Sequence, residues 1–151
     1  MIRFANTLTI NRPVEEVFEF ISNFENMPKW NYFVVSVRKV SDGPIGMGTS
    51  FDQVRKTDRQ RYEVSEYLRN RRVSVETLPP APPLKMRFIF ENIGDATRLT
   101  DEWELETGRN PLLEWLGTMK IKSAVSENLQ KLKQLLETGE TRLQDGRTMR
   151  I

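Results

Sequence analysis

Two residue types are missing from this 151-residue chain: it has no cysteine and no histidine. Without cysteine there is no disulfide, no thiolate nucleophile and no zinc–thiolate cluster. Without histidine, Ser-His-Asp and Cys-His triads, imidazole metal sites and the usual proton shuttle near neutral pH fall away together. Acid–base chemistry would have to come from Asp, Glu, Lys, Tyr or Arg with a shifted pKa, or from a substrate that reacts easily. Nor is there a run of about 18 apolar residues, the length a transmembrane helix needs. The opening Met1-Ile2-Arg3-Phe4-Ala5-Asn6 lacks the apolar core of a secretory signal, so a cytoplasmic location is expected. No motif for a cofactor or a metal appears.

What is present is ordinary for a folded domain: 38% hydrophobic and 29% charged residues, with a formal net charge of +2. That charge is weak evidence for a polyanionic partner. Residues 3–10 alternate, with Phe4, Leu8 and Ile10 on one parity, the mark of a half-buried strand. Pro13 then suits a helix start, and Val14, Val17, Phe18 and Ile21 follow at helical spacing. Ser22-Asn23 begins a second short helical piece through Phe24 and Met27, closed by Pro28. From there the period is two. Strands are expected over 32–40, 49–56, 61–68, 72–78, 84–91 and 97–106, separated by short polar turns and by the rigid Pro79-Pro80-Ala81-Pro82-Pro83.

Asn110-Pro111 starts a long helix, with Asn110 as N-cap and Gly139 as its stop. Leu112, Leu116, Met119, Val125, Leu129, Leu132 and Leu136 read as its apolar stripe. One domain over 1–139 is expected, and a polar, poorly ordered tail over 140–151. Short turns between consecutive strands imply an antiparallel meander, and only the long helix is large enough to cover it. The expected class is α+β: a curved antiparallel sheet of six to seven strands wrapped around a long C-terminal helix, with two short helices after the first strand.

That order, together with Ile10-Asn11-Arg12-Pro13-Val14-Glu15-Glu16-Val17-Phe18-Glu19-Phe20-Ile21, Asn26-Met27-Pro28-Lys29-Trp30, Gly46-Met47-Gly48-Thr49-Ser50-Phe51 and Tyr62-Glu63-Val64, resembles the START-like (SRPBCC) superfamily. Its fold is the helix-grip fold of birch-pollen-allergen-like proteins. Within it the chain looks most like bacterial polyketide cyclase/dehydrase-like proteins. The resemblance covers roughly residues 2–137 and implies an internal apolar cavity. It implies a small apolar or aromatic ligand of polyketide, lipid or isoprenoid type, and it brings no motif of catalytic residues.

Strand parity and connectivity assign the cavity walls. Phe51, Gln53, Tyr62, Val64, Val75, Phe88, Phe90, Asp101 and Trp103 are expected to face inward, with Leu116 and Met119 closing from the helix. Trp30 and the proline loop should form the rim. The helical insert, the turn at 57–60, the proline loop and the junction at 108–110 should share the mouth end. The aromatics read equally well as plain core. Asp101, an acid on an apolar face, must be bonded, paired or neutral. It reads either as a structural pair of Arg55, Arg87 or Lys120 or as an acid–base group for cyclisation or dehydration, with Tyr62 and Glu66 as further catalytic candidates. Arg55, Lys56, Arg59, Arg61, Arg69, Arg71 and Arg72 form a basic cluster interleaved with acids. It is read as a solvated face; nucleic acid is not expected, while transient contact with an anionic membrane or another anionic partner is the alternative.

Overall fold

The computed structural model describes residues 1–108 and 110–151, so the junction expected at 108–110 is described only at its flanks. Strand β1 (Ile2–Ile10) is followed by helix α1 (Val14–Ser22) and a 3-10 helix (Phe24–Lys29). Six strands come next: β2 (Val34–Lys39), β3 (Ser50–Arg55), β4 (Arg59–Leu68), β5 (Arg72–Thr77), β6 (Leu84–Ile93) and β7 (Ala96–Leu105). The long helix α2 (Pro111–Thr138) leads into a small hairpin of β8 (Glu140–Arg142) and β9 (Thr148–Arg150).

The first seven strands make one antiparallel sheet in the order β1-β7-β6-β5-β4-β3-β2. Because β1 and β2 lie on opposite edges, the helical insert must cross the sheet. It crosses on the concave face and fills one part of it with aromatic rings. Phe24 packs on Phe51, Tyr62 and Phe88, with centroids 5.5, 5.7 and 6.3 Å away. Phe18 sits edge-on to Tyr67 and Phe90 at 5.3 and 5.1 Å. Such tilted and edge-on contacts suit the ring quadrupoles.

The helix ends follow from local chemistry. Asn110 Oδ1 accepts from the Leu113 amide at 3.0 Å and Pro111 takes the first helical position. Gly139 closes α2 in the left-handed region at φ 83°, its amide donating to the Leu135 carbonyl.

Two expectations about α2 and its tail need correction. Only Val125, Leu129, Leu132 and Leu136 of the expected stripe are buried; Leu112, Leu116 and Met119 are exposed. At about 100° per residue, the first group and the second are out of phase by roughly 140°, so one face cannot bury both. The tail, expected to be poorly ordered, instead forms the β8–β9 hairpin. Thr141 and Leu143 are buried, and Thr141 Oγ1 donates to Gln134 Oε1 of α2 at 2.7 Å. Alternation of a few buried residues in a polar stretch was enough to dock it.

Candidate functional site

A cavity of about 620 Å³ lies between the sheet and the N-terminal half of α2. That volume suits a small organic ligand. It exists because the insert fills the sheet only in part and because two of the facing helix positions, Gly117 and Ala124, are small. Gly117, Ile121, Ala124 and Asn128 line it from α2. Their spacing of four, three and four residues is one helical face, and two of the four carry a methyl group or less. Met27, Asn31 and Phe33 from the insert, Pro82 from the proline loop and Glu106 after β7 line the same cavity. This is the end at which connectivity places the mouth.

The expected wall residues divide into three groups. Gln53, Tyr62, Val75 and Trp103 line the cavity. Phe51, Val64, Phe88 and Phe90 face the same way but belong to the core beneath the insert. Trp30, expected at the rim, is also core at 4% exposure, because it caps the 3-10 helix with its ring turned inward; Phe33 is at the mouth in its place. Leu116 and Met119 point to solvent at 52% and 57% exposure and close nothing. The spacing Gly117, Ile121, Ala124, Asn128 was the available signal for the helix side of the cavity, and it is hidden by the greater hydrophobicity of the leucines beside it.

Glu66 lies on the outer face of the sheet. The pairing shifts between Val64 and Glu66, where β4 bulges, and Glu66 ends opposite Ser74 instead of continuing the inner parity. A single extra residue reverses every side chain after it. Glu66 accepts from Arg72 Nη1 at 3.1 Å and Ser74 Oγ at 3.0 Å, with Arg87 Nε 3.3 Å away. It is an outer-face ion pair. Tyr67 is turned inward by the same bulge and meets Phe18.

Asp101 is buried at 2% exposure and does not line the cavity. None of the three cations expected to pair with it does so: Arg55 holds Asp58 and Arg87 reaches Glu66 and Glu102, while Lys120 lies at the cavity wall. Its contact is the Trp103 indole, whose Nε1 donates to Oδ2 at 3.1 Å; Oδ1 has no partner among the described residues. Burial pushes the carboxyl up to about 8, the Trp103 donation opposes the rise and Glu102 adds to it. At neutral pH Asp101 is therefore mainly a neutral acid under Trp103. The Trp103 ring, stacked on Phe4 at 5.5 Å, forms cavity wall.

The cavity is apolar with a few polar points. Tyr62 Oη and Gln53 Oε1 are buried without a hydrogen-bond partner among the described residues. Gln53 pairs with Gln60 and Phe51 with Tyr62, so Gln53 and Tyr62 are diagonal neighbours on one face of β3 and β4. Burial raises the phenol pKa of Tyr62, so it stays a neutral donor. Asn128 Nδ2 donates to Asn31 Oδ1 at 3.2 Å, and Asn128 Oδ1 accepts from Gln144 of the tail at 3.1 Å. No three metal-ligating side chains converge among the described residues. Three of the seven cations of the basic cluster are paired: Arg55 with Asp58, Arg61 with Asp52 and Arg72 with Glu66.

A seven-stranded antiparallel sheet closed by a long C-terminal helix, with two short helices after the first strand, is the START-like helix-grip fold. The model of the family described as polyketide cyclase / dehydrase and lipid transport matches residues 1–137, and the chain belongs to that family. Among solved structures, a START superfamily protein from Mycobacterium smegmatis is similar at 14% identity and TM-score 0.72, over 90% of this chain and 99% of that one. An Aha1 dimer from Colwellia psychrerythraea is similar at 16% identity and TM-score 0.66, over 92% and 98%. The di-domain ARO/CYC StfQ from the steffimycin biosynthetic pathway is similar at 17% identity and TM-score 0.66, over 89% of this chain and 44% of that one. No curated protein sequence matches the chain. At these identities the structural likeness establishes the fold and leaves function to the site itself. No helix among the described residues is long and apolar enough to cross a membrane.

Proposed function

We propose that the protein binds a small apolar or aromatic molecule of polyketide, lipid or isoprenoid type in the cavity beneath α2, and that the ligand carries one neutral hydroxyl or carbonyl group. The observation that carries this reading is the pair of buried, unpartnered atoms on an otherwise apolar wall, Tyr62 Oη and Gln53 Oε1. A buried donor and acceptor without partners are costly, and a hydroxyl between them would satisfy both. An apolar body fits the surroundings formed by Val75, Met86, Trp103 and Ile121.

A matched pair of probes tests the reading. 2-Naphthol should bind more tightly than naphthalene by about five- to tenfold, the worth of one buried hydrogen bond. Tyr62→Phe should reduce that preference to what the bond to Gln53 Oε1 alone supplies, while leaving naphthalene affinity unchanged. Equal affinity of the native protein for both probes would remove the polar part of the proposal, and binding of neither would remove the cavity as a ligand site.

A second reading, a cyclase or dehydrase, is favoured by the same Tyr62. Its hydroxyl, held neutral in a dry wall, could polarise a substrate carbonyl for carbon–carbon bond formation. With Glu66 outside and Asp101 under Trp103, Tyr62 is the catalytic candidate at the cavity surface. Turnover of a poly-β-ketone that survives Tyr62→Phe would exclude it from that role.

A further inference from the structure

The first turns of α2 carry an apolar face that covers nothing among the described residues. Leu112, Trp115, Leu116 and Met119 are 67%, 59%, 52% and 57% exposed. Their spacing of three, one and three residues makes a single stripe. It faces away from Val125, Leu129 and Leu132, which pack on the sheet. Beyond Met119 the same face turns polar with Ser123, Ser126 and Gln130. The stripe is thus a local patch and no extension of the core.

Its surroundings are cationic. Lys120 and Lys122 flank the stripe on its two sides when the helix is wound at about 100° per residue. Neither has an ion pair among the described residues, and both are exposed. Glu114, the acid of the same turns, is neutralised: it holds the N-terminal ammonium at 2.5 Å and Thr107 Oγ1 at 2.6 Å. Glu106 at the cavity mouth is the nearby carboxylate the two lysines must outweigh. Leu113 and Phe33, 49% and 44% exposed, continue the apolar surface from the stripe to the mouth.

We infer that the stripe Leu112, Trp115, Leu116 and Met119, flanked by Lys120 and Lys122, docks this protein on an anionic lipid bilayer with the cavity mouth turned toward it. Two features favour a bilayer over a second copy of the chain. The stripe is four apolar side chains, far fewer than the roughly 20–30 residues a side of a stable interface. A two-fold pair on this stripe would also bring like-charged lysines together, whereas lysines beside an inserted apolar stripe meet lipid phosphates. Leucine and tryptophan opposite a polar, lysine-bearing flank is the composition of a helix lying in the interface. The docking does not depend on the cavity holding any particular ligand.

Co-sedimentation with mixed phosphatidylglycerol–phosphatidylcholine vesicles tests this. The wild-type protein should sediment with them, and Trp115 should move its emission to the blue; Trp115→Phe should abolish the shift while binding persists. Leu116→Glu, and independently Met119→Glu, should lower partition by about tenfold or more, since a charge replaces an inserted apolar group. Lys120→Glu with Lys122→Glu should lower partition to the anionic vesicles by a similar factor and leave the weak binding to pure phosphatidylcholine. Thermal unfolding of each variant should match the wild type, because all five substituted sites are exposed. Absence of wild-type partition, or partition unchanged in both glutamate variants of the stripe, overturns the inference. A dimer in sedimentation velocity that Leu116→Glu dissolves, without vesicle binding, assigns the stripe to a second copy and overturns it equally.

Discussion

From Val125 onward α2 is a core helix, whereas before it the same helix turns large apolar side chains to solvent and sets Gly117 and Ala124 toward the sheet. Leu129, Leu132 and Leu135 are exposed by 1% or less, while Leu112 is 67% exposed. Where large residues face the sheet, space is filled and the helix is anchored. Where Gly117 and Ala124 face it, a cavity remains. One continuous backbone thus serves as scaffold in one half and as lid in the other. Both halves carry large apolar residues at helical spacing; phase separates them.

The largest effect that would break this comparison is a parallel truncation. Leu132→Ala should cost about 2–5 kcal/mol, because a fully buried leucine leaves a cavity. Leu116→Ala should change stability by less than about 0.5 kcal/mol. Urea unfolding measures both. Comparable losses would mean that the N-terminal half is anchored after all.

Asp101 supplies the next. Its register partner on β1 is Asn6, which donates to the Lys122 carbonyl, so it lies under the zone where lid gives way to scaffold. The folded carboxyl titrates at about 8 against an ordinary value of 3.8. The folded state therefore holds a proton that the unfolded state has lost. The contribution is fully present below about pH 4 and declines as pH rises toward 8, with a slope of up to about 1.4 kcal/mol per pH unit. Asp52, Asp58 and Glu137 are shifted the other way, and their stabilising contributions are lost only as pH falls into the carboxylate range. Asp101→Asn keeps an acceptor for the Trp103 indole and removes the titration. From pH 5 to pH 8 the wild type should lose stability relative to the variant. A pH-independent difference would mean that Asp101 is ionised in the folded protein.

Much of this architecture was legible because it rests on short-range periodicity. Alternation in β1, β6 and β7 depends on neighbours two residues apart, and Asn110-Pro111 and Gly139 mark the ends of α2 by their own chemistry. The cavity was less legible for three physical reasons. The bulge in β4 adds one residue without any compositional mark, and it sent Glu66 outward. Whether Phe51, Phe88 and Phe90 are wall or core depends on where Phe24 and Phe18 land, which is a tertiary fact. The two stripes of α2 could have been separated by phase, since Met119 and Val125 are six residues apart, but phase does not say which stripe takes the sheet.

Gly117 is the smallest and finest test of the lid. A glycine inside a helix costs about 0.5–1 kcal/mol relative to alanine. Its backbone here is ordinary helix, with no positive φ to justify it. A Cβ at this position would meet Ile2 Cδ1 at 3.6 Å, an ordinary contact. Gly117→Ala should therefore raise stability by up to about 1 kcal/mol in urea unfolding while leaving 2-naphthol affinity nearly unchanged. Gly117→Leu should keep the helix-propensity gain but project into the cavity and abolish binding. If alanine destabilises, the lid is pressed against β1 and glycine is there for close approach. If alanine stabilises and leucine blocks the probe, glycine is there for room, and the cavity is maintained at the expense of stability in the half of α2 that covers it.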